Sequence, residues 1–166
     1  HGGGFWYFRD ERMQADDPFG RPPTDFRQHQ IGLSLGGPIK RDRLHFFGVY
    51  DQQVRDNPLV VKFSANSAGI PRFDGQEDTF KQTNDVWTAF GRIDAQISAD
   101  NHFWARYNWS RNEGQNGLGS TPTSSAIGNN SLEKDRTDTL VAQFSTILTP
   151  TRLNELRFQY AREDRP

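Results

Sequence analysis

The sequence predicts an all-β fold, an antiparallel up-and-down meander of about seven strands. Three observations support this prediction. Apolar and polar residues alternate with a period of two over long segments, as in strands that have one apolar face. Signals for helices are weak throughout the chain. The connections between these segments are alternately short and long, as expected for consecutive β-hairpins.

Each predicted strand is longer than the usual mode of about 5–6 residues. The pattern is clearest from Val86 to Ser98, where every second residue from Trp87 to Ile97 is apolar or glycine. The orientation of one strand stays open, because Phe46 and Phe47 put apolar side chains on both of its faces. The seven strands lie near residues 3–12, 27–37, 43–55, 85–98, 102–112, 138–148 and 152–163.

The connections separate into two classes. Tight turns are predicted at Lys40–Arg43, Ala99–Asn101 and Thr149–Thr151. Long connections rich in Gly, Pro, Ser, Asn and Asp are predicted at Met13–Phe26, Asp56–Asn84 and Glu113–Thr137. Bacterial outer-membrane barrels have short turns at one end and long loops at the other, and their strands need roughly 9–11 residues. The sequence therefore predicts that residues 1–166 are an incomplete segment of a transmembrane β-barrel.

Composition excludes several other classes of protein. The longest apolar run, Phe5–Phe8, is far shorter than the roughly 20 residues of a transmembrane helix. A hydrophobic content of 33% still suits a membrane barrel, whose strands need only every second residue apolar. The net charge of -1 gives no electrostatic case for binding nucleic acid. The absence of cysteine excludes disulfides, thiolate metal sites and cysteine nucleophiles.

Register follows from keeping apolar residues on one face. A three-residue turn at Ala99–Asn101 pairs Asp94 with Arg106 on the polar face, and it puts Gly91 beneath the ring of Trp109 on the apolar face. Aromatic cover of a strand glycine is a known way of fixing register. The same reasoning predicts five further pairs: Ile93 with Tyr107, Leu33 with Tyr50, Leu140 with Tyr160, Gln143 with Arg157 and Phe144 with Leu156.

Two groups of side chains are candidates for function. The first group is polar and faces the predicted interior: Arg92, Asp94, Arg106, Asn108, Glu155, Arg157 and Gln159. These residues would form a solvated lumen wall held by cross-strand pairs, or they would contact a plug or a passing substrate. The second group, Trp87, Trp109 and Tyr160, lies near the long-loop ends of the strands. Amphipathic rings prefer the level of the lipid headgroups, so these three predict a membrane-interface girdle.

No pattern in the chain predicts catalysis, a metal site or a cofactor. Gly32–Gly36 matches the G-x-S-x-G motif and His1–Gly4 matches an oxyanion-hole motif, but Ser34 lies inside an alternating strand with no helix after it. The acidic segment Asp74–Asp78 lacks the alternating oxygen ligands of a calcium loop. The four histidines do not have the spacing of metal ligands: His1, His29, His45 and His102.

Several segments resemble TonB-dependent outer-membrane receptors, particularly the Oar-like group. His1–Asp10 is similar to their plug-to-barrel junction and first barrel strand. Phe26–Gly32 and Leu35–Arg43 together are similar to the second strand and first periplasmic turn, and Leu44–Asp51 is similar to the third strand. Weaker similarity covers three segments that match later hairpins of that group: Gly91–Asp94, Phe103–Tyr107 and Leu148–Arg157.

The resemblance implies an energy-coupled transporter with a plugged barrel of about 22 strands. It implies uptake of a scarce substrate of the siderophore, glycan or peptide type. The partners it implies are outer-membrane lipid, the protein's own plug domain, the remaining barrel strands and the TonB complex. The chain begins with His1 and shows no plug or TonB box, so we expect it to be a piece of a longer protein. The alternative is a non-catalytic β-sheet module for binding or adhesion at the cell surface.

Overall fold

A computed structural model describes residues 1–15, 25–61, 78–116 and 132–165. They form one seven-stranded antiparallel sheet in which every strand lies beside its sequence neighbours. The predicted all-β meander is confirmed. Within the described residues β1 and β7 do not pair with each other, so the sheet is open. The strands are β1 (Gly2–Asp10), β2 (Arg27–Lys40), β3 (Leu44–Val61), β4 (Asp78–Gln96), β5 (Asn101–Gln115), β6 (Leu132–Thr149) and β7 (Arg152–Asp164).

The first strand ends earlier than predicted because a short 3₁₀ helix, Glu11–Met13, follows it directly. The side chain of Asp10 accepts a hydrogen bond from the backbone N–H of Arg12 at 3.1 Å. An aspartate at this position caps the free N–H groups at the start of a helix. In the part of the chain that the structure describes, no helix is long and apolar enough to span a membrane.

The connections alternate in length as predicted, with the three short turns together at one end of the sheet, called here the turn end. At the opposite end β3, β4, β5 and β6 are longer than predicted. Residues 56–61 and 78–84, predicted as connection, extend the β3–β4 hairpin and include the pair Leu59 with Phe80. Pro58 is tolerated there because β2 begins at Arg27, which pairs with Asp56. Beyond that pair, no strand among the described residues lies beside β3 on that side.

The register predicted for the β4–β5 hairpin is wrong by two residues. Asp94 lies opposite Trp104 instead of Arg106, Ile93 lies opposite Ala105, and Gly91 lies opposite Tyr107. The turn has three residues, but it begins one residue earlier, since the Ile97 N–H donates to the carbonyl of Asn101 at 2.9 Å. The Ser98 hydroxyl accepts from the Asn101 side chain at 2.7 Å, which stabilises Ser98 within the turn.

The other register predictions are confirmed. The structure pairs Leu33 with Tyr50, Leu140 with Tyr160, Gln143 with Arg157 and Phe144 with Leu156. The open orientation of β3 is also settled. Phe46 shares a face with Ile93, its cross-strand partner, and Phe47 shares the opposite face with Arg92.

Aromatic cover of a glycine occurs at a different position from the predicted one. A Cβ built on Gly91 would meet no heavy atom within 4 Å, so the predicted cover by Trp109 is wrong. The register error explains this result, because Trp109 lies opposite Ala89. The most closely covered glycine among the described residues is Gly32, which is buried and pairs directly with Phe5. The Phe5 ring lies where a Cβ of residue 32 would be, with its nearest carbon only 2.2 Å away.

Candidate functional site

The two faces of the sheet differ sharply in chemistry. The apolar face includes Leu33, Ile93, Ala105 and Leu156, and the polar face includes Arg92. Because the described sheet has a single layer, large side chains of the apolar face are open to the surroundings, Leu33 at 56% and Leu156 at 68%. An apolar surface of this extent needs a partner or a lipid phase to cover it.

All seven polar candidates lie on the polar face, as the alternation predicted. Arg92, Asp94, Arg106 and Asn108 belong to β4 and β5, and the other three candidates belong to β7. The three aromatic candidates, Trp87, Trp109 and Tyr160, all lie on the apolar face. That one group lines a lumen and the other forms a membrane-interface girdle stays a prediction.

The best-defined contacts on the polar face surround Arg92. Its Nε and Nη2 atoms donate to the carboxylate of Asp94 at 2.7 and 2.6 Å. Both residues are on β4, and their side chains lie on the same face because residues two apart in a strand share a face. The predicted ion pair between Asp94 and Arg106 does not form. The two-residue register shift instead places Arg106 opposite Arg92.

Trp104, which is not among the residues predicted from the sequence, contacts both of these like charges. The Arg92 guanidinium lies 4.9 Å from the centroid of the Trp104 ring, and the Arg106 guanidinium lies 6.0 Å from it. Attraction between a cation and the face of an indole ring stabilises such an arrangement. The alternation of β5 could have identified Trp104, since it lies two residues from Arg106 and therefore shares its face.

A second polar group joins β6 to β7. The Gln143 side chain donates to Glu155 at 3.2 Å, and Arg157 donates to the other carboxylate oxygen at 3.2 Å. Gln159 lies two residues further along β7, opposite Val141. Asn108 lies opposite Thr139 on the same face. These side chains make the polar face a hydrogen-bonding surface that extends across several strands.

Ser34, the centre of the G-x-S-x-G match, lies within β2, as the alternation predicted. It pairs with Gly3 of β1 and Val49 of β3. Its Oγ donates to the carbonyl of Gly3 at 3.4 Å. Over residues 1–15, 25–61, 78–116 and 132–165, no group of three or more His, Asp or Glu side chains has the geometry of a metal site. The acidic segment 74–78 lies mostly outside the described residues, which resume at Asp78.

The three aromatic candidates lie on a slanted line across the sheet. The residues that pair across the strands with Trp87 form a row that serves as the reference. Relative to this row, Trp109 lies two residues nearer the turn end, and Tyr160 lies four residues nearer. Four residues span about 13 Å along a strand, and the three spacings from β4 to β7 span about 14 Å. The line therefore slants by about 40°, which matches the tilt of strands in outer-membrane barrels.

A single antiparallel meander with one apolar face, one polar face and long connections at one end is typical of the class of outer-membrane β-barrel proteins. The comparison with protein families agrees. The family model described as "Outer membrane beta barrel domain" matches residues 1–67 and 64–166, and the chain belongs to that family. The protein accordingly resides in the outer membrane of a Gram-negative bacterium. No curated protein and no solved structure matches the chain.

An acidic group lies on the apolar face beyond the aromatic line, at the end with the long connections. Asp85, two residues before Trp87, pairs with Glu113, and the Asp56 carboxylate is 3.0 Å from the amine of Lys81. Burial raises the pKa of Asp85 above its ordinary value, and Asp56 raises it further. The Oδ1 atom of Asp85 is buried with no hydrogen-bond donor among the described residues.

Replacing Asp85 with asparagine is expected to stabilise the folded protein at pH 7. The raised pKa means that the folded state binds the proton more tightly, so the stability of the wild type falls as the pH rises above 3.8. Asparagine removes this loss, and the gain should vanish as the pH falls to that value. Denaturant unfolding of the full-length protein between pH 3 and pH 8 measures it. Asp100→Asn, in an exposed turn, is the control, and a gain at Asp85 that is independent of pH would contradict the prediction.

Proposed function

We propose that this chain is the first part of the barrel of an outer-membrane active transporter, energised through TonB, that takes up a scarce substrate of the siderophore, glycan or peptide type. The resemblance to TonB-dependent receptors supports this proposal. The residues of its most specific block, Phe5 to Tyr50, form three consecutive strands, β1, β2 and β3, joined by one long connection and one short turn.

The single structural observation that carries the proposal is the hydrogen-bonding surface of the polar face. In a barrel of about 22 strands the lumen is wide enough to need a plug, and its wall must be polar. The side chains of Arg92 and Asp94 remain 37% and 33% accessible despite their mutual ion pair. Those accessible groups are available to a plug surface or to a hydrated substrate.

The proposed mechanism involves binding and movement without covalent chemistry. The plug would rest against the polar face, where side chains such as Arg106 and Arg157 offer hydrogen-bond donors to backbone carbonyls and carboxylates. Substrate would bind at the long-connection end, and force relayed by TonB would shift the plug to open a path. The barrel segment then acts as the fixed wall, and the lipid on its apolar face holds it in the membrane.

The proposal is tested with the full-length protein and its native cells. Radiolabelled ferric siderophores, oligosaccharides and short peptides are offered to cells with and without a functional tonB gene. We expect one of these classes to accumulate only when both TonB and the protein are present. In a second assay, the purified protein should bind the purified periplasmic domain of TonB.

Two outcomes would contradict the proposal. If the protein bound ligand at the surface equally well in both strains and nothing accumulated, it would act as a binding or adhesion module. If uptake occurred at equal rates without TonB and the purified proteins did not associate, the protein would be a passive pore. Both outcomes leave the membership of the outer-membrane barrel family unaffected.

A further inference from the structure

Two consecutive cross-strand rows on the polar face have a composition of their own. They lie on either side of Trp87 along β4, toward the long-connection end. From β1 to β5 they span about 19 Å, the width of four strand spacings. These described positions include no lysine or arginine, and most of them are aromatic, carboxamide or hydroxyl residues. The first row is Phe5, Gly32, Asp51, Thr88 and Ser110, and the second is Tyr7, Gln30, Gln53, Val86 and Asn112.

Phe5 and Tyr7 form an aromatic platform at one side of these rows. Their ring centroids are 5.0 Å apart, and the two residues remain 43% and 64% exposed. A strand added beside β1 would extend the sheet in its own plane and would leave this face open. Aromatic rings offer large, rigid apolar surfaces. The C–H face of a sugar ring packs against such a surface, while the sugar hydroxyls stay free at the edge of the ring.

An oriented carboxylate lies next to the platform. The side-chain nitrogen of Gln30 donates to the two carboxylate oxygens of Asp51 at 3.2 and 3.0 Å, which holds the carboxylate in position. Gly32 separates Phe5 from Asp51 across the sheet and adds no side chain between them. A carboxylate has about four lone-pair sites, so Asp51 can also accept from ligand hydroxyls. Hydrogen bonds to an ionised acceptor are stronger than those between neutral groups.

The remaining polar groups favour a neutral ligand rich in hydroxyls. Thr88, Ser110 and Gln53 carry groups that both donate and accept hydrogen bonds, as sugar hydroxyls do. A ligand with net negative charge would face the Asp51 carboxylate with no cation in either row.

The cations of the polar face lie outside these rows. Arg92 and Arg106 are two rows nearer the turn end than Thr88. Arg9 and Arg55 are in the next row toward the long connections, beyond Tyr7. The neutral rows are therefore a distinct zone of the face, bordered by arginine on both sides along the strands.

We propose that this zone binds a neutral oligosaccharide, with sugar rings stacked on Tyr7 and Phe5 and sugar hydroxyls bonded to Asp51, Thr88 and Ser110. The inference rests on the proposed function and selects the glycan among its three substrate classes. We call these five residues the saccharide surface. It lies at the end of the polar face where the proposed mechanism places substrate binding.

Isothermal titration calorimetry of the full-length protein in mild detergent tests the saccharide surface. The neutral probes are maltohexaose, cellohexaose, laminarihexaose and xylohexaose, and the comparison ligands are ferric enterobactin and hexaglycine. We expect at least one hexasaccharide to bind and the two comparison ligands not to bind. Tyr7→Ala is expected to lose at least tenfold in affinity. Tyr7→Phe should bind as the wild type does, because stacking uses the ring and not the hydroxyl.

A second substitution and a matched control complete the test. Thr88→Val removes a hydroxyl at an exposed position with little change in size, so it tests the surface even if Tyr7→Ala does not fold. It is expected to lose affinity severalfold. Tyr50→Ala is the control, because Tyr50 precedes Asp51 on β3 and lies on the opposite face, so the affinity should not change.

Three outcomes would overturn the saccharide surface: no hexasaccharide binds, only a comparison ligand binds, or folded Tyr7→Ala or Thr88→Val binds with wild-type affinity. Failure here is distinct from failure of the proposed function. TonB-dependent accumulation of a siderophore or peptide without oligosaccharide binding would overturn this site alone. Oligosaccharide binding that depends on Tyr7, without any accumulation in cells, would support the site and contradict active transport.

Discussion

Replacing Ala105 with arginine is expected to destabilise the full-length protein in lipid by about 2–4 kcal/mol, the penalty for a cation on the lipid face of a barrel near the bilayer midplane. Ala105 lies on the apolar face near the middle of the segment of β5 below the aromatic line. Its neighbours across the sheet are Ile93 and Ala142. These side chains offer no hydrogen bond to a guanidinium, so the charge would have to reach water or headgroups along the strand.

The control for this substitution is Asn108→Arg, three residues further along β5. Asn108 lies on the polar face between Phe90 and Thr139. We expect a much smaller cost there, because water or polar groups can solvate the new cation. The native residue Arg106 already places a guanidinium on that face next to Ala105. Denaturant unfolding from lipid vesicles measures both free energies.

The order of the two costs decides the orientation of the sheet. A larger cost at Asn108 than at Ala105 would mean that the polar face is the one in contact with lipid. Equal and negligible costs would mean that water reaches both faces, which contradicts a membrane-spanning sheet. Each result remains interpretable whatever substrate the protein carries, since both measurements report stability and not transport.

The alternation of side chains allowed the strands and their faces to be predicted well, because a one-residue error would exchange the two faces. A two-residue error has no such cost. It keeps every side chain on its own face, so the pattern could not distinguish Asp94 opposite Arg106 from Asp94 opposite Trp104. The difference depended on Ser98, whose hydroxyl bonds to Asn101 and places Ser98 in the turn.

The long-connection ends of the strands were predicted less well for a related reason. Pro58 and the polar residues around it have the composition of a loop, yet the segment pairs with β4 up to Val61. What favours a strand there is pairing across the hairpin, including Leu59 and Val61, which are buried. Such pairing connects residues about twenty positions apart, and a local composition signal does not include it.

The candidate polar residues share one face, as the alternation predicted, but their contacts were not predicted. A carboxylate two residues along the same strand can satisfy an arginine as well as one across the sheet, as Arg92 and Asp94 show. The sequence favours neither arrangement, because both keep the charges on the polar face. Trp104 belongs to the same site but was not predicted, because its side chain is amphipathic and suits either face. Only its place in the alternation of β5 assigns it to the polar face.

Replacing Gly32 with alanine is expected to cost about 1–3 kcal/mol, the usual range for a side chain forced into occupied space. The new methyl group would lie 2.2 Å from the nearest ring carbons of Phe5, so the ring must move away. The ring then no longer covers β2, and the contact that fixes the register of β1 against β2 is lost. Unfolding of the full-length protein in lipid vesicles measures the change.

A double-mutant cycle separates this contact from a general intolerance of side chains at glycine positions. In a Phe5→Ala background the ring is absent, and Gly32→Ala is expected to cost much less than it does in the wild type. Gly91→Ala is the matched control, because a Cβ at that position meets nothing within 4 Å. Glycine in a strand is less stable than alanine by about 0.5–1 kcal/mol, so this control should be neutral or stabilising. If Gly32→Ala cost the same with and without the Phe5 ring, the ring would not be what fixes the register of the first two strands.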